Sequence, residues 1–259
     1  FTNANLWTKS GAGTQTTMST TGFSNSGSIH VNSGTLVLNL PASPSSSGVY
    51  TAASGAVLTL SGEHSFGASS EISGAGTVIF PSGAVTIAGN YAVTGTTEVS
   101  GATLDLTNGT LSIAGSSLIL SSGSVNLGAK SAALGTLTLN GGVLSGSNTL
   151  TVQTLVWSGG SMSGGGATQV NSTWNITGSP VISDRTLVNA GNANWPADGA
   201  ITGTGTLNNT GNFTKSGNGT SSTISGITFI NGSGGRVNVT GGTLTIGLSA
   251  ANPSAGLYT

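Results

Sequence analysis

One short stretch of this chain gathers groups able to do acid–base or metal chemistry: Gly62-Glu63-His64-Ser65-Phe66, with Glu71 close behind. Two carboxylates and an imidazole that converge could hold a metal, or flank a glycosidic bond with one carboxyl as acid and the other as nucleophile or base. Enzymes that cleave polysaccharides this way draw further acids, bases and aromatics from neighbouring segments to hold the sugar. Here the flanking sequence offers almost no charge. Glu63, His64 and Glu71 are therefore candidates for a glycan-facing surface. No catalytic residue, cofactor or metal ligand is assigned.

The remaining candidates are thinner. Asp184 and Arg185 are adjacent, and alternate residues of a strand point to opposite sides. An exposed turn, with Arg185 bonding carbonyls of a neighbouring segment, is the expectation. Asp105, Asp184 and Asp198 stand alone, whereas a calcium-binding nonapeptide repeat needs aspartates in series. Trp7, Trp157, Trp174 and Trp195, with Tyr50 and Tyr258, would stack on sugar rings if exposed along one face. The preferred expectation is that they plug the ends of the fold and pack under loops. Thr-Xaa-Thr triplets at 136–138, 149–151 and 243–245 are of the kind that ice-binding solenoids rank on a flat face, but their separations match no regular coil. Asn-Xaa-Ser/Thr sequons begin at eight asparagines between Asn108 and Asn238, in keeping with the abundance of Asn, Ser and Thr.

The elements that would position these residues are short. Gly34-Thr35-Leu36-Val37-Leu38, Gly55-Ala56-Val57-Leu58-Thr59-Leu60, Gly83-Ala84-Val85-Thr86-Ile87 and Gly135-Thr136-Leu137-Thr138-Leu139 share one pattern. A glycine leads, then apolar side chains occupy every second position, as in a strand with one buried face. Ser-Gly, Asn-Gly and Gly-Gly pairs between them favour turns. A sandwich of hairpins and a parallel β-helix both fit short strands with glycine corners. The Gly-led runs near 34, 55, 76, 101, 123 and 142 recur at a nearly constant interval, which favours the β-helix. The predicted fold is all-β: a right-handed parallel β-helix, or β-solenoid, of about 21 residues per coil. At roughly 4.8 Å per coil, twelve coils make a rod of about 55–60 Å. Pro41-Ala42-Ser43-Pro44-Ser45 and Ser249-Ala250-Ala251-Asn252-Pro253 are expected to be loops that leave the coil, since proline cannot donate to a central ladder.

A longer period overlies the short one. Trp7-Thr8-Lys9-Ser10-Gly11-Ala12-Gly13-Thr14 returns as Phe213-Thr214-Lys215-Ser216-Gly217-Asn218-Gly219-Thr220, 206 positions later. Gly48-Val49-Tyr50-Thr51 returns as Gly256-Leu257-Tyr258-Thr259, 208 positions later. The chain is therefore expected to be one continuous solenoid over 1–259, with 1–206 a super-repeat and 207–259 the start of the next. Such periods mark arrays.

Composition excludes several functions. Charged residues are 4 % of the chain and the formal net charge is −1. Five Lys and Arg in 259 residues cannot form the basic stripe that nucleic acid requires, and docking to anionic lipid fails on the same count. No apolar run is long enough for a membrane helix. Cysteine is absent, which removes disulfides and thiolate metal sites. A hydrophobic content of 36 %, set in alternating runs, separates the chain from disordered sequences.

Segments such as Asp184-Arg185-Thr186-Leu187-Val188-Asn189-Ala190-Gly191-Asn192 and Gly205-Thr206-Leu207-Asn208-Asn209-Thr210-Gly211-Asn212-Phe213 resemble those of long secreted bacterial repeat proteins. So does Gly235-Arg236-Val237-Asn238-Val239-Thr240-Gly241-Gly242-Thr243-Leu244. The likeness is to the filamentous-haemagglutinin and autotransporter-passenger type, the β-solenoid adhesins, and it extends in style over nearly the whole chain. It implies an extracellular or cell-surface location and a non-catalytic role in a filament or adhesin. The partners expected are neighbouring repeats, end to end or laterally, together with surface glycans. It supplies no catalytic residues, and the scarcity of charge departs from it. A carbohydrate-binding or carbohydrate-cleaving β-helix is the alternative expectation, and an ice-binding solenoid the third.

Overall fold

A computed structural model describes residues 1–42, 45–247 and 254–259 of the chain. Most of the two proline inserts, Ser43, Pro44 and Ser249–Pro253, lies outside the described residues. Among the described residues there is no helix, and every named strand pairing is parallel. The strands stack as a solenoid of about 12 turns, with successive turns roughly 20 residues apart. Coils differ in length, from the short step that pairs Thr136 with Thr154 to the long one that pairs Asn212 with Arg236. One-dimensional stacking tolerates this variation because each coil contacts only its neighbours.

The rod has three faces. Face one carries Leu6–Lys9, Ser28–Val31, Val49–Ala52, Glu71–Gly74, Asn90–Val93 and Thr110–Leu111. After a break it continues through residues 132–134, 149–152 and 167–170 and the strands Thr186–Asn189, Thr206–Asn209 and Thr228–Asn231. Face two is unbroken from Gln15–Ser19 to Leu257–Tyr258. Face three runs from Thr2–Asn3 and Ser24–Asn25 through His64–Phe66, Ala84–Ile87, Val143–Ser145 and Ser161–Ser163 to Thr243–Ile246. The long strands Thr96–Asp105 and Ser117–Asn126 turn the corner from face two to face three.

Alternation does the sorting. In Thr35–Leu40 the residues Leu36, Leu38 and Leu40 are fully buried, while Thr35 and Val37 point outward. Stacked in register, such rows fill the rod with leucine, valine and isoleucine, and each buried side chain contributes about 1.5–3 kcal/mol. Corners need glycine where the backbone turns left-handed against the coil below. Gly62 (φ 87°) and Gly83 (φ 85°) are such positions. A Cβ on Gly83 would overlap the carbonyl of Gly62, and one on Gly62 that of Leu40.

Three of the four tryptophans depart from expectation, while Trp7 packs, partly buried, against Phe1 in the first coil. Trp157, Trp174 and Trp195 do not plug the ends; all three lie fully buried inside the rod, in successive coils of face two. Trp174 meets Trp157 at 6.3 Å and stands edge-on to Phe213 at 5.9 Å, and Phe213 continues to Trp195 and Phe229. Trp174 has the small Ala193 directly in register in the next coil, which leaves room for its ring.

Candidate functional site

The three acid–base candidates separate in the structure. Glu63 is exposed at a corner, where its carboxylate accepts the Ala84 N–H at 3.2 Å from the next coil. Glu71 begins a strand on face one. His64 is an inward residue of face three, 5 % exposed, with its ring stacked on Phe66 at 5.9 Å. Its Nε2–H donates to the Ser61 carbonyl at 3.1 Å, the tautomer that this contact requires. Burial holds the imidazole below its usual pKa, opposed by hydrogen bonds to the Ser61 and Leu38 backbone and by the nearby Glu63. No surface joins the three groups. Among the described residues no set of three or more His, Cys, Asp or Glu could hold a metal.

Arg185 is the most heavily bonded charge. Asp184 has a positive φ of 53°, rare outside glycine, and exchanges hydrogen bonds with Thr204 of the next coil. That turn leaves Asp184 exposed and Arg185 2 % exposed. The guanidinium donates to the carbonyls of Gly146 (2.7 Å), Ala167 (3.0 Å), Ser163 and Asn148, and to the side chains of Thr168 (2.8 Å) and Asn148 (3.2 Å). It rivets its own coil to the two beneath. Desolvation pulls its pKa down to about 10. The carbonyl-bonding role was expected, but the burial was not.

Lysine does a related job twice. Lys9 Nζ donates to Ser10 O and Thr14 Oγ1, both at 2.8 Å, and the Thr14 hydroxyl donates to Gly11 O at 2.7 Å. Lys215, fully buried, donates to Ala197 O at 3.0 Å and to Thr220 Oγ1, whose hydroxyl donates to Gly217 O at 2.7 Å. The shared Lys-Ser-Gly-Xaa-Gly-Thr motif is thus a closed knot of ammonium, threonine and carbonyls. Other positions one super-repeat apart behave alike. Asn3 donates to Asn25 Oδ1 at 2.7 Å, and Asn209 to Asn231 Oδ1 at 2.8 Å. Tyr50 bonds Ser46 Oγ at 2.7 Å, and Tyr258 bonds Ser254 Oγ at 2.6 Å.

The outer surface is chiefly hydroxyl and methyl. The three threonine triplets fall on three different faces: 136–138 on face two, 149–151 on face one and 243–245 on face three. A rank nevertheless exists on face two, where Thr77, Thr96, Ser117, Thr136, Thr154 and Thr173 lie in direct register over six coils. Beside it run Ile79, Glu98, Ile119, Thr138, Val156 and Asn175. The sequence signal for this rank is the dipeptide Gly-Thr at 76–77, 95–96 and 135–136, which triplets alone miss. Where face one breaks, an open groove of about 360 Å³ is lined by Leu111, Ile113, Ala132, Ala133 and Thr151 among others.

Comparison with protein families, curated proteins and solved structures returned no match.

Proposed function

We propose that this chain is a non-catalytic structural module of an extracellular or cell-surface filament or adhesin, built from tandem β-solenoid repeats with the division 1–206 and 207–259. One observation carries this reading: side chains one super-repeat apart rebuild the same buried hydrogen bonds, as at Asn3–Asn25 and Asn209–Asn231. A structure that repeats its internal contacts can extend by addition, each new coil covering the ladder edge left by the last. Neighbouring repeats are then the first partners. The mechanical role follows from continuous backbone ladders along the axis. The separation of Glu63, His64 and Glu71 and the burial of three tryptophans weigh against a sugar-binding or sugar-cleaving face. Electron cryo-microscopy of material from the producing cell's surface tests the proposal. A continuous fibre with an axial rise near 50 Å per super-repeat, a little over ten coils at roughly 4.8 Å, supports it; isolated rods of finite length would overturn it.

A second reading, an ice-binding face, is favoured by the six-coil hydroxyl rank of face two. Its hydroxyls, about 4.8 Å apart along the axis, form a single stiff row beside a mixed row in which only Thr138 adds a second hydroxyl and Glu98 adds a charge. An assay of ice recrystallisation with the purified chain decides it: loss of inhibition in Thr136→Lys supports the face, and no inhibition by the unaltered chain removes it.

A further inference from the structure

The super-repeat does not contain a whole number of coils. Pairing along face two runs unbroken from Gln15 through Thr35, Val57, Thr77, Thr96, Ser117, Thr136, Thr154, Thr173 and Asn192 to Asn212, ten coils above. In the repeat, however, the counterpart of Gln15 is Ser221, and Asn212 is the counterpart of Leu6. Leu6 stands on face one and Asn212 on face two. The other faces shift the same way. The pair Asn3–Asn25 stands on face three, while its counterpart Asn209–Asn231 stands on face one. Lys9 is on face one and Lys215 on face two. With three faces to a coil, a shift of one face makes the period ten coils and one third.

We infer that each added repeat advances by one third of a turn, so that an array presents the same surface on its three faces in succession. This rests on the tandem-repeat reading proposed above. Three repeats, or 31 coils, restore the original face after about 150 Å, at roughly 4.8 Å per coil. Two consequences follow for partners. A receptor that recognises one repeat finds equivalent sites on all three sides, stepped by about 50 Å, and several copies can bind without sharing a face. A surface rank such as that from Thr77 to Thr173 cannot run on along one face into the next repeat, because its counterpart begins one face over. Two filaments laid side by side therefore meet matching surface for only about one repeat before it rotates away.

The phase is testable in the chain itself, which has no cysteine. Outward Thr17 shares face two with Thr214, while its repeat counterpart Thr223 stands on face three. Gold-cluster maleimide is attached to the double variants Thr17→Cys/Thr214→Cys and Thr17→Cys/Thr223→Cys, and the rods are imaged by electron microscopy. The 17/214 pair is expected on one edge of the rod in every view, and the 17/223 pair on opposite edges in a substantial share of views. A 17/223 pair that always shares one edge overturns the phase. Native fibres decorated with an antibody fragment against one repeat extend the test: fragments on three sides in turn support the inference, and fragments on one side overturn it. Absence of any fibre would instead sink the tandem reading and leave the gold result standing.

Discussion

A cation buried in an almost uncharged rod must be satisfied by carbonyls, and Arg185 shows the consequence. Its guanidinium bonds the carbonyls of Gly146, Asn148, Ser163 and Ala167 in the coils beneath, plus two side chains. Truncation leaves several buried acceptors unpaired, each costing about 1–3 kcal/mol. Arg185→Ala is expected to destabilise the chain by roughly 3 kcal/mol or more, read as a lower denaturation midpoint. Arg185→Lys should recover little, since one ammonium cannot span the fork of acceptors. His64 sets a pH dependence. Its folded pKa lies below the usual 6.5 because burial disfavours the charged ring. The unfolded chain therefore takes up the proton first as pH falls. Stability should be full above pH 6.5 and decline below it, and His64→Leu should flatten the thermal midpoint between about pH 7 and 5. An unchanged slope in that variant would refute the assignment.

At the scale of elements, the ladder Asn189–Asn209–Asn231 ties three coils of face one. Asn189 and Asn209 each donate through Nδ2 to the next asparagine Oδ1, at 2.7 and 2.8 Å, and all three asparagines donate to a backbone carbonyl of a following strand. The ladder starts at Asn189 because the residue below is Val170, which leaves Asn189 Oδ1 without a partner. Replacing Asn209 with leucine strands Asn231 Oδ1 and Arg236 O. The expected cost is about 3 kcal/mol from two unpaired acceptors, against less than about 1 kcal/mol for an exposed change such as Thr210→Ala. Equilibrium unfolding of both variants checks the contrast. Strand positions, the all-β class and the glycine corners were legible in the sequence, since alternation and Gly-led runs report one buried face directly. The rank from Thr77 to Thr173 was half-legible. Its Gly-Thr starts are visible, but coils of unequal length, such as Thr136 to Thr154 and Asn212 to Arg236, hide which starts share a face.

For the whole molecule, the pattern of burial predicts proteolysis. Lys9, Arg185 and Lys215 are buried, whereas Lys130 and Arg236 are exposed. Trypsin acting on the native chain should cut, if at all, after Lys130 or Arg236, as mass spectrometry of the fragments would reveal. A native cut after Arg185 or Lys215 would contradict the packing. By itself the sequence revealed short strands with one buried face at a coil-like spacing, the return of its opening motifs near its end, and a scarcity of charge, with five Lys and Arg in 259 residues. Those properties follow from local alternation, composition and self-similarity, which need no knowledge of distant contacts. Only the tertiary structure decided that Glu63, His64 and Glu71 diverge, that three tryptophans and three of the five basic side chains lie inside, and that the matching motifs Leu6–Lys9 and Asn212–Lys215 stand on different faces. Each depends on which residues, one coil apart, come into register. That register is set by the summed fit of inward side chains and glycine corners along the rod, and no single coil's sequence contains it.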